Sequence, residues 1–588
     1  MPCTSTSALL LLFALAGAPA MQAQPSTGSG ALDTSVSPIR ALVERYSADH
    51  DTLASVYTDP HSPSTRERWA AFYRENRAAL EKIDFASLDR ESQADYVLFA
   101  NLLRQQEHQL ALDERQWSDA APLLPFAPAI FAIEDAKRQM EKPDPQKAAA
   151  AMDELAKAVA ASRKDLESKV KDVTSAQRIA AWPAAADLDE MSQQLKKWFD
   201  FSNGYDPSFT WWVAEPYKKA AAAMKDDVTF LREKMAGIAP DDKSTVIGTP
   251  IGRDALLKQL DDAMIPYTPE ELIAMAKEQL AWCQQQMVKA SRELGYGDDW
   301  HRAMEAVKST YVPAGQQPEL IRSLALEGEK FAEDHDLVTI PPLAKETWRM
   351  TMMTPEQQLV NPFFLGGDTI IVSYPTDTMT YDQRMMSMRG NNPYFSRATV
   401  FHELIPGHWL QEFMAARNRP YRQAFGSGFW IEGNAFYWEL MYWDLGFDAT
   451  PQQRIGALFW RMHRCARIIF SLSFHLGTMT PQQAIDFLVD QVGHERDNAT
   501  AEIRRSVNGD YNPLYQCAYM LGALEFRALR HELVDSGKMT NRQFNDAILK
   551  ENMMPVPVLR AILTGQKLTP DWKPNWKFLD EVNLPKAQ

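Results

Sequence analysis

Cysteine is scarce in this 588-residue chain, which carries only Cys3, Cys283, Cys465 and Cys517 and no Cys-x-x-Cys pair. That excludes a disulfide framework and a zinc site built from thiolates; the three later cysteines read as core residues with at most one disulfide among them. Positive charge is in deficit as well, with 62 Lys and Arg against 77 Asp and Glu, a net charge of −15 and no Lys/Arg-rich run. Nucleic acid is therefore not an expected partner. Beyond the N-terminus no stretch of about 18 uncharged apolar residues occurs, so no integral membrane segment is expected in the mature chain. No fixed-period repeat is present. No His has a Glu three residues before it, which removes the Glu-x-x-His pairs of a carboxylate-bridged di-iron bundle.

Met1 to Ser7 contains no Lys or Arg, so any positive charge there comes from the amino terminus alone. The apolar run Ala8 to Ala16 and the small-x-small sequence Ala18-Pro19-Ala20 nevertheless read as an export signal over residues 1–23. Cleavage is expected after Ala20 or Ala23, leaving a mature start at Met21 or Gln24. Cys3 precedes the apolar run and so is not a lipoprotein cysteine. The expected location is periplasmic or secreted.

What the chain has in quantity is core material: 45% hydrophobic residues and 16 Trp. Residues 24–37, rich in Ser, Thr, Gly and Pro, read as a flexible leader. An N-terminal helical lobe is expected over 38–240, with breaks at Glu141 to Pro145 and Asn203 to Pro207. A C-terminal lobe carrying the chemistry is expected over 241–588, after the Pro/Gly-bearing loop Asp241 to Gly252. Thr268-Pro269-Glu270-Glu271 combines a capping Thr, a Pro at the first helical position and an acidic residue at the third. The same Thr-Pro start, with Gln at the third position, recurs at Thr354, Thr450 and Thr480, so helix dominates this half. One exception is Gly366 to Tyr374, whose β-branched centre predicts a strand.

The chain is organised around Phe401-His402-Glu403-Leu404-Ile405-Pro406-Gly407-His408. Two imidazoles and a carboxylate in one short segment are the raw material of a metal-activated water. Zinc hydrolases commonly space the two His four apart on one helix; here the interval is six residues, about 120° around a continuous helix. Pro406 cannot donate to the carbonyl of His402, and Gly407 tolerates unusual backbone angles, so the helix is expected to kink or end there and bring His408 back toward His402. Glu432, 24 residues after His408, is the expected third ligand. Glu439, two helical turns further, is placed to orient a ligating His from behind. Asn392-Pro393 supplies a cap for the helix carrying His402.

Glu432-Gly433-Asn434-Ala435 is similar to the Glu-bearing segment of the aminopeptidase N family, although Ile431 stands where that family has Asn. The wider pattern His402, Glu403, Pro406, Gly407, His408, Gln411 with Glu432, Gly433, Ala435 resembles the bacterial family catalogued as domain of unknown function 885, over about residues 40–580. That family is usually grouped with the gluzincin metallopeptidases. The resemblance implies a mainly α, two-lobed metallopeptidase fold with a small β-sheet beside the site. It also implies one zinc per chain and peptide substrates, with the 366–374 strand holding an extended substrate. A looser block around Arg504-Arg505, with Ser506 where the family tends to have Tyr, makes Arg505, His494 and Tyr519 candidates to bind a substrate carboxylate or stabilise an oxyanion. Two other functions fit the same residues: a periplasmic peptide-binding protein that has lost catalysis, and a metal hydrolase of non-peptide amides or esters.

Overall fold

The threonine signatures open helices through reciprocal caps. The Thr450 N–H donates to Gln453 Oε1 at 3.0 Å and the Gln453 N–H returns to Thr450 Oγ1 at 3.3 Å, and Thr268 and Thr480 repeat the pattern. The computed structural model describes residues 37–582 except 241, 243, 244, 314, 359–365 and 510. The expected signal and nearly all of the expected leader lie outside the described residues.

The chain is mainly α-helical. Its first part runs through α1 (Pro38–Val56), α2 (Pro63–Leu80), α3 (Arg90–Ala120), α4 (Pro145–Lys169), α5 (Ser175–Ser202) and α6 (Pro207–Phe230). The later part contributes α7 (Pro269–Glu293), α8 (Gln317–Asp334), β1 (Arg349–Met352), β2 (Thr369–Val372), α9 (Pro393–Glu403), α10 (His408–Ala415), α11 (Gly428–Asp444), α12 (Pro451–His475), α13 (Arg496–Val507) and α14 (Tyr515–Arg530). Both expected breaks before residue 240 fall between helices.

The buried clusters do not divide at residue 240. One is built only from residues 117–236; the other joins α1, α2 and the first half of α3 to residues 251–582. The apolar faces of α1 and α2 meet through Tyr46 and Phe72, stacked at 5.1 Å, and a buried ion pair fastens α3 to the distant turn at 420–425. There Asp95 accepts from Arg422 Nε at 2.8 Å and from the Tyr421 hydroxyl at 2.7 Å. A buried charge pair held by this many hydrogen bonds loses heavily if one partner is removed, so it ties the N-terminal helices to the later core.

The strand expected at 366–374 is four residues long and pairs in parallel with β1, Arg349 opposite Thr369. Ile370 and Val372 pack against Val400 of α9 and Leu404 just past its end, which sets the small sheet beside the motif helix. Cys283, Cys465 and Cys517 are buried and unpaired. No helix among the described residues is long and apolar enough to cross a membrane.

Candidate metal centre

Asn392 caps α9 by accepting from the backbone N–H groups of Tyr394 and Phe395. Arg397 then clamps the helix from its buried side, pairing with Glu327 at 2.8 Å and Asp448 at 2.9 Å. The helix stops at Glu403, the Ile405–Pro406 bond is cis, and a new helix begins at His408. A Cβ at position 407 would lie 1.8 Å from the His402 carbonyl oxygen, so only glycine permits the turn. The break brings the two imidazole rings to 4.9 Å, nearly perpendicular.

α11 supplies the facing carboxylates. Its run of Phe429, Trp430, Phe436, Tyr437, Trp438 and Tyr442 is apolar nearly all round and buried, which carries Glu432 and Glu439 inside with it. Glu432 Oε2 lies 3.6 Å from His402 Nε2 and 3.2 Å from His408 Nε2, is buried, and has no hydrogen-bond partner. Its other oxygen accepts from the Tyr515 hydroxyl at 2.5 Å. Glu439 Oε1 approaches His402 Nδ1 to 2.7 Å, a close contact not aligned as a hydrogen bond. Gln411 does the matching service for His408: its Oε1 is 3.4 Å from His408 Nδ1, while its amide donates to the Ile431 carbonyl and Asn434 Oδ1 and so fixes α10 on α11. Both histidines thus direct Nε2 at one point. His402, Glu403 and His408 each also offer a ligand atom within 4.8 Å of the others, so two carboxylates, of Glu403 and Glu432, reach the same place.

The electrostatics favour positive charge there. Burial opposes a charged His402, yet Glu432 and Glu439 raise it to about 9. Burial likewise opposes a charged Glu432, but the neighbouring imidazoles hold it well below the carboxylate range. Burial raises Glu403. A buried carboxylate oxygen with no partner, facing two imidazole nitrogens, is an arrangement a divalent cation completes.

A model of bacterial proteins of unknown function (DUF885) matches residues 44–563. The chain belongs to this family. Two solved structures resemble it, both described as candidate lipoproteins, the first also as of unknown function. The one from Shewanella oneidensis is 18% identical with a TM-score of 0.65, covering 90% of this chain and 100% of that one. The one from Colwellia psychrerythraea is 14% identical with a TM-score of 0.53, covering 90% and 98%. At these identities the likeness is one of fold. No curated protein matches the chain.

In this DUF885 chain His402, Glu403, His408 and Glu432 line one cavity of about 320 Å³, and Tyr519 and Arg505 line it too. His494 does not line it. The ring sits behind His463, its Nε2 hydrogen-bonded to His463 Nδ1 at 2.9 Å, in surroundings that bury it completely enough to keep it neutral. Tyr515, Arg464 and Arg467 also line the cavity, and sequence reasoning missed them. The one signal for the arginines is their place in α12, where Arg461, His463, Arg464 and Arg467 interrupt an otherwise apolar helix and so demand buried partners.

His494 yields an expected pH response. Burial, opposed by the Glu502 carboxylate, lowers it from 6.5 to about 3. The folded form then binds fewer protons than the unfolded chain, so stability is full above pH 6.5 and falls as pH drops toward 3. One such group contributes a slope of about 1.4 kcal/mol per pH unit. His494→Gln, which keeps a donor and an acceptor, should flatten the pH dependence of urea midpoints between 6.5 and 4; an unchanged slope would show that His494 is not held neutral.

Proposed function

We propose that the chain is a zinc-dependent hydrolase of short peptides, a two-lobed helical metallopeptidase of the gluzincin kind, working outside the cytoplasm. The observation that carries this reading is the unpartnered Glu432 Oε2 set between the Nε2 atoms of His402 and His408. His402, His408 and Glu432 would hold the ion. Zinc, when bound, acts as a Lewis acid toward a carbonyl oxygen and makes water acidic enough to attack near neutral pH.

The chain's own groups do the rest. Glu439 lies against the outer nitrogen of His402 and Gln411 against that of His408, which favours both Nε2 lone pairs turned inward. Glu403 adjoins His402, and burial makes its carboxylate more basic than usual. It accepts the proton of the attacking water and passes it to the leaving nitrogen. The new C–O bond forms at the carbonyl carbon, the C–N bond breaks, and the products are a carboxylate and an amine. The Tyr519 hydroxyl, 3.5 Å from that of Tyr515, is a donor for the oxygen that becomes negative. The extracytoplasmic placing is supported by the N-terminal apolar run and by the lipoprotein description of both similar structures.

Metal analysis of purified protein tests the reading. About one zinc per chain is expected, with a sharp loss of retention in His408→Ala and in Glu432→Gln. Full zinc occupancy in both variants would remove these residues from the centre, and wild-type protein that binds no divalent ion would overturn the proposal.

A further inference from the structure

The cavity at the histidine pair is also lined by Arg464, Arg467 and Arg505. Arg464 reaches Glu439 at 3.4 Å. Arg467 and Arg505 share a single carboxylate: Arg467 Nε donates to Glu502 Oε1 at 2.7 Å, and a terminal nitrogen of Arg505 bonds Oε2. Two cations thus share one anion as their hydrogen-bonded partner, while Glu432 acts on Arg467 only through space. His463, beside them, adds no positive charge, because burial and then the neighbouring Arg467 hold it neutral. Glu502 is fully committed, lowered to about 2 by the two arginines against the effect of burial.

Arg467 also has hydrogen-bonding capacity to spare. Among the described residues only its Nε donates to a protein acceptor, which leaves both terminal nitrogens free, and its carbon lies 4.5 Å from the centre of the Tyr519 ring. That ring lies 6.3 Å from the His402 ring. The two distances together cap the separation of imidazole and guanidinium at about 11 Å. An extended chain advances ~3.3–3.6 Å per residue, so about three residues at most fit between the reacting carbonyl and the guanidinium.

We infer that Arg467, with Arg505 beside it, binds the C-terminal carboxylate of the peptide, and that hydrolysis at the histidine pair therefore releases C-terminal fragments of one to three residues. A planar guanidinium with two free N–H groups on one edge suits a carboxylate, which accepts through both oxygens. At the Glu502 end of the cavity two guanidinium groups face one carboxylate, so the local charge there is of the right sign, and burial strengthens it. Glu403, Glu412 and Glu432 in the same cavity repel a carboxylate placed beside them, which leaves the arginine cluster as its place. This inference rests on the hydrolase reading for the bond broken, but not for the binding itself.

The test compares trialanine carrying a free C-terminal carboxylate with trialanine amide. Titration calorimetry with Glu403→Gln protein should show the acid binding about 10–100-fold more tightly than the amide, the usual worth of a charge-assisted pair. Arg467→Met should abolish that preference and Arg467→Lys should restore part of it. Equal binding of acid and amide, binding of neither, or a preference that survives in Arg467→Met would each overturn the subsite. If Arg467→Met does not fold, the acid and amide comparison decides alone. Wild-type protein that hydrolyses both peptides equally well defeats the subsite and leaves the hydrolase reading standing. Protein that hydrolyses neither yet prefers the acid defeats the hydrolase reading and leaves the subsite.

Discussion

Glu403→Gln is expected to keep its fold and its zinc while losing peptide hydrolysis by ~10²–10⁴-fold, the usual worth of a general base. The loss corresponds to about 3–5 kcal/mol of barrier, well outside assay scatter. Gln has the shape of Glu and cannot accept the proton of the attacking water. Burial, which raises the affinity of Glu403 for a proton, is what the substitution makes irrelevant. Glu439→Gln is the comparison, because Glu439 meets His402 at Nδ1 and not at the nitrogen facing the cavity. It should weaken metal retention or turnover about 10–100-fold through the orientation of the imidazole. Glu403 and Glu432 compete for the same point, so zinc content in the two Gln variants separates them: Glu432→Gln should lose the metal and Glu403→Gln should not. Near-normal turnover of Glu403→Gln at full zinc occupancy would sink the mechanism.

Gly407→Ala is expected to be the more damaging change to the protein itself. The added carbon would lie 1.8 Å from the His402 carbonyl oxygen and 2.5 Å from its carbonyl carbon. Both are backbone atoms, with no flexible end to swing away. The link between α9 and α10 must shift, and His408 moves with it away from Glu432. A destabilisation of about 1–3 kcal/mol or more follows from forcing atoms into filled space, together with loss of tight zinc binding. Urea denaturation and metal analysis read the two effects. A Gly407→Ala variant with an unchanged midpoint and full metal would show that the turn is not needed to place His408.

Much of this centre was legible in the sequence because its parts are local. His402, Glu403 and His408 lie within seven residues and Glu432 and Glu439 share one helix, so helical geometry and the behaviour of Pro and Gly suffice to bring them together. The threonine caps were legible for the same reason. Arg467 and Tyr515 were not: the place of Arg467 depends on how α12 packs on α14 and α13, and that of Tyr515 on how α14 crosses α11. That crossing is set by a glycine pair, Gly433 against Gly522, where a Cβ on the first would come within 2.6 Å of the second. Helices approaching this closely put Tyr515 on Glu432, and no spacing along the chain announces it. His494 was misplaced for the converse reason. A histidine near an arginine block reads as functional, yet here it serves as the buried partner of another histidine. The core boundary was unreadable because the Asp95 and Arg422 pair joins residues 327 apart.

The separate hydrophobic cluster of residues 117–236 interrupts a core that the chain leaves in α3 and rejoins at Ile251. No residue of the candidate metal centre belongs to it. Regions of a protein open with free energies of their own, in cooperative units that follow such packing. Packed as its own cluster, this stretch is expected to open with a free energy of its own, so protection of its amides against exchange should report first on the insertion and only through α3 on the core around His402, His408 and Glu432.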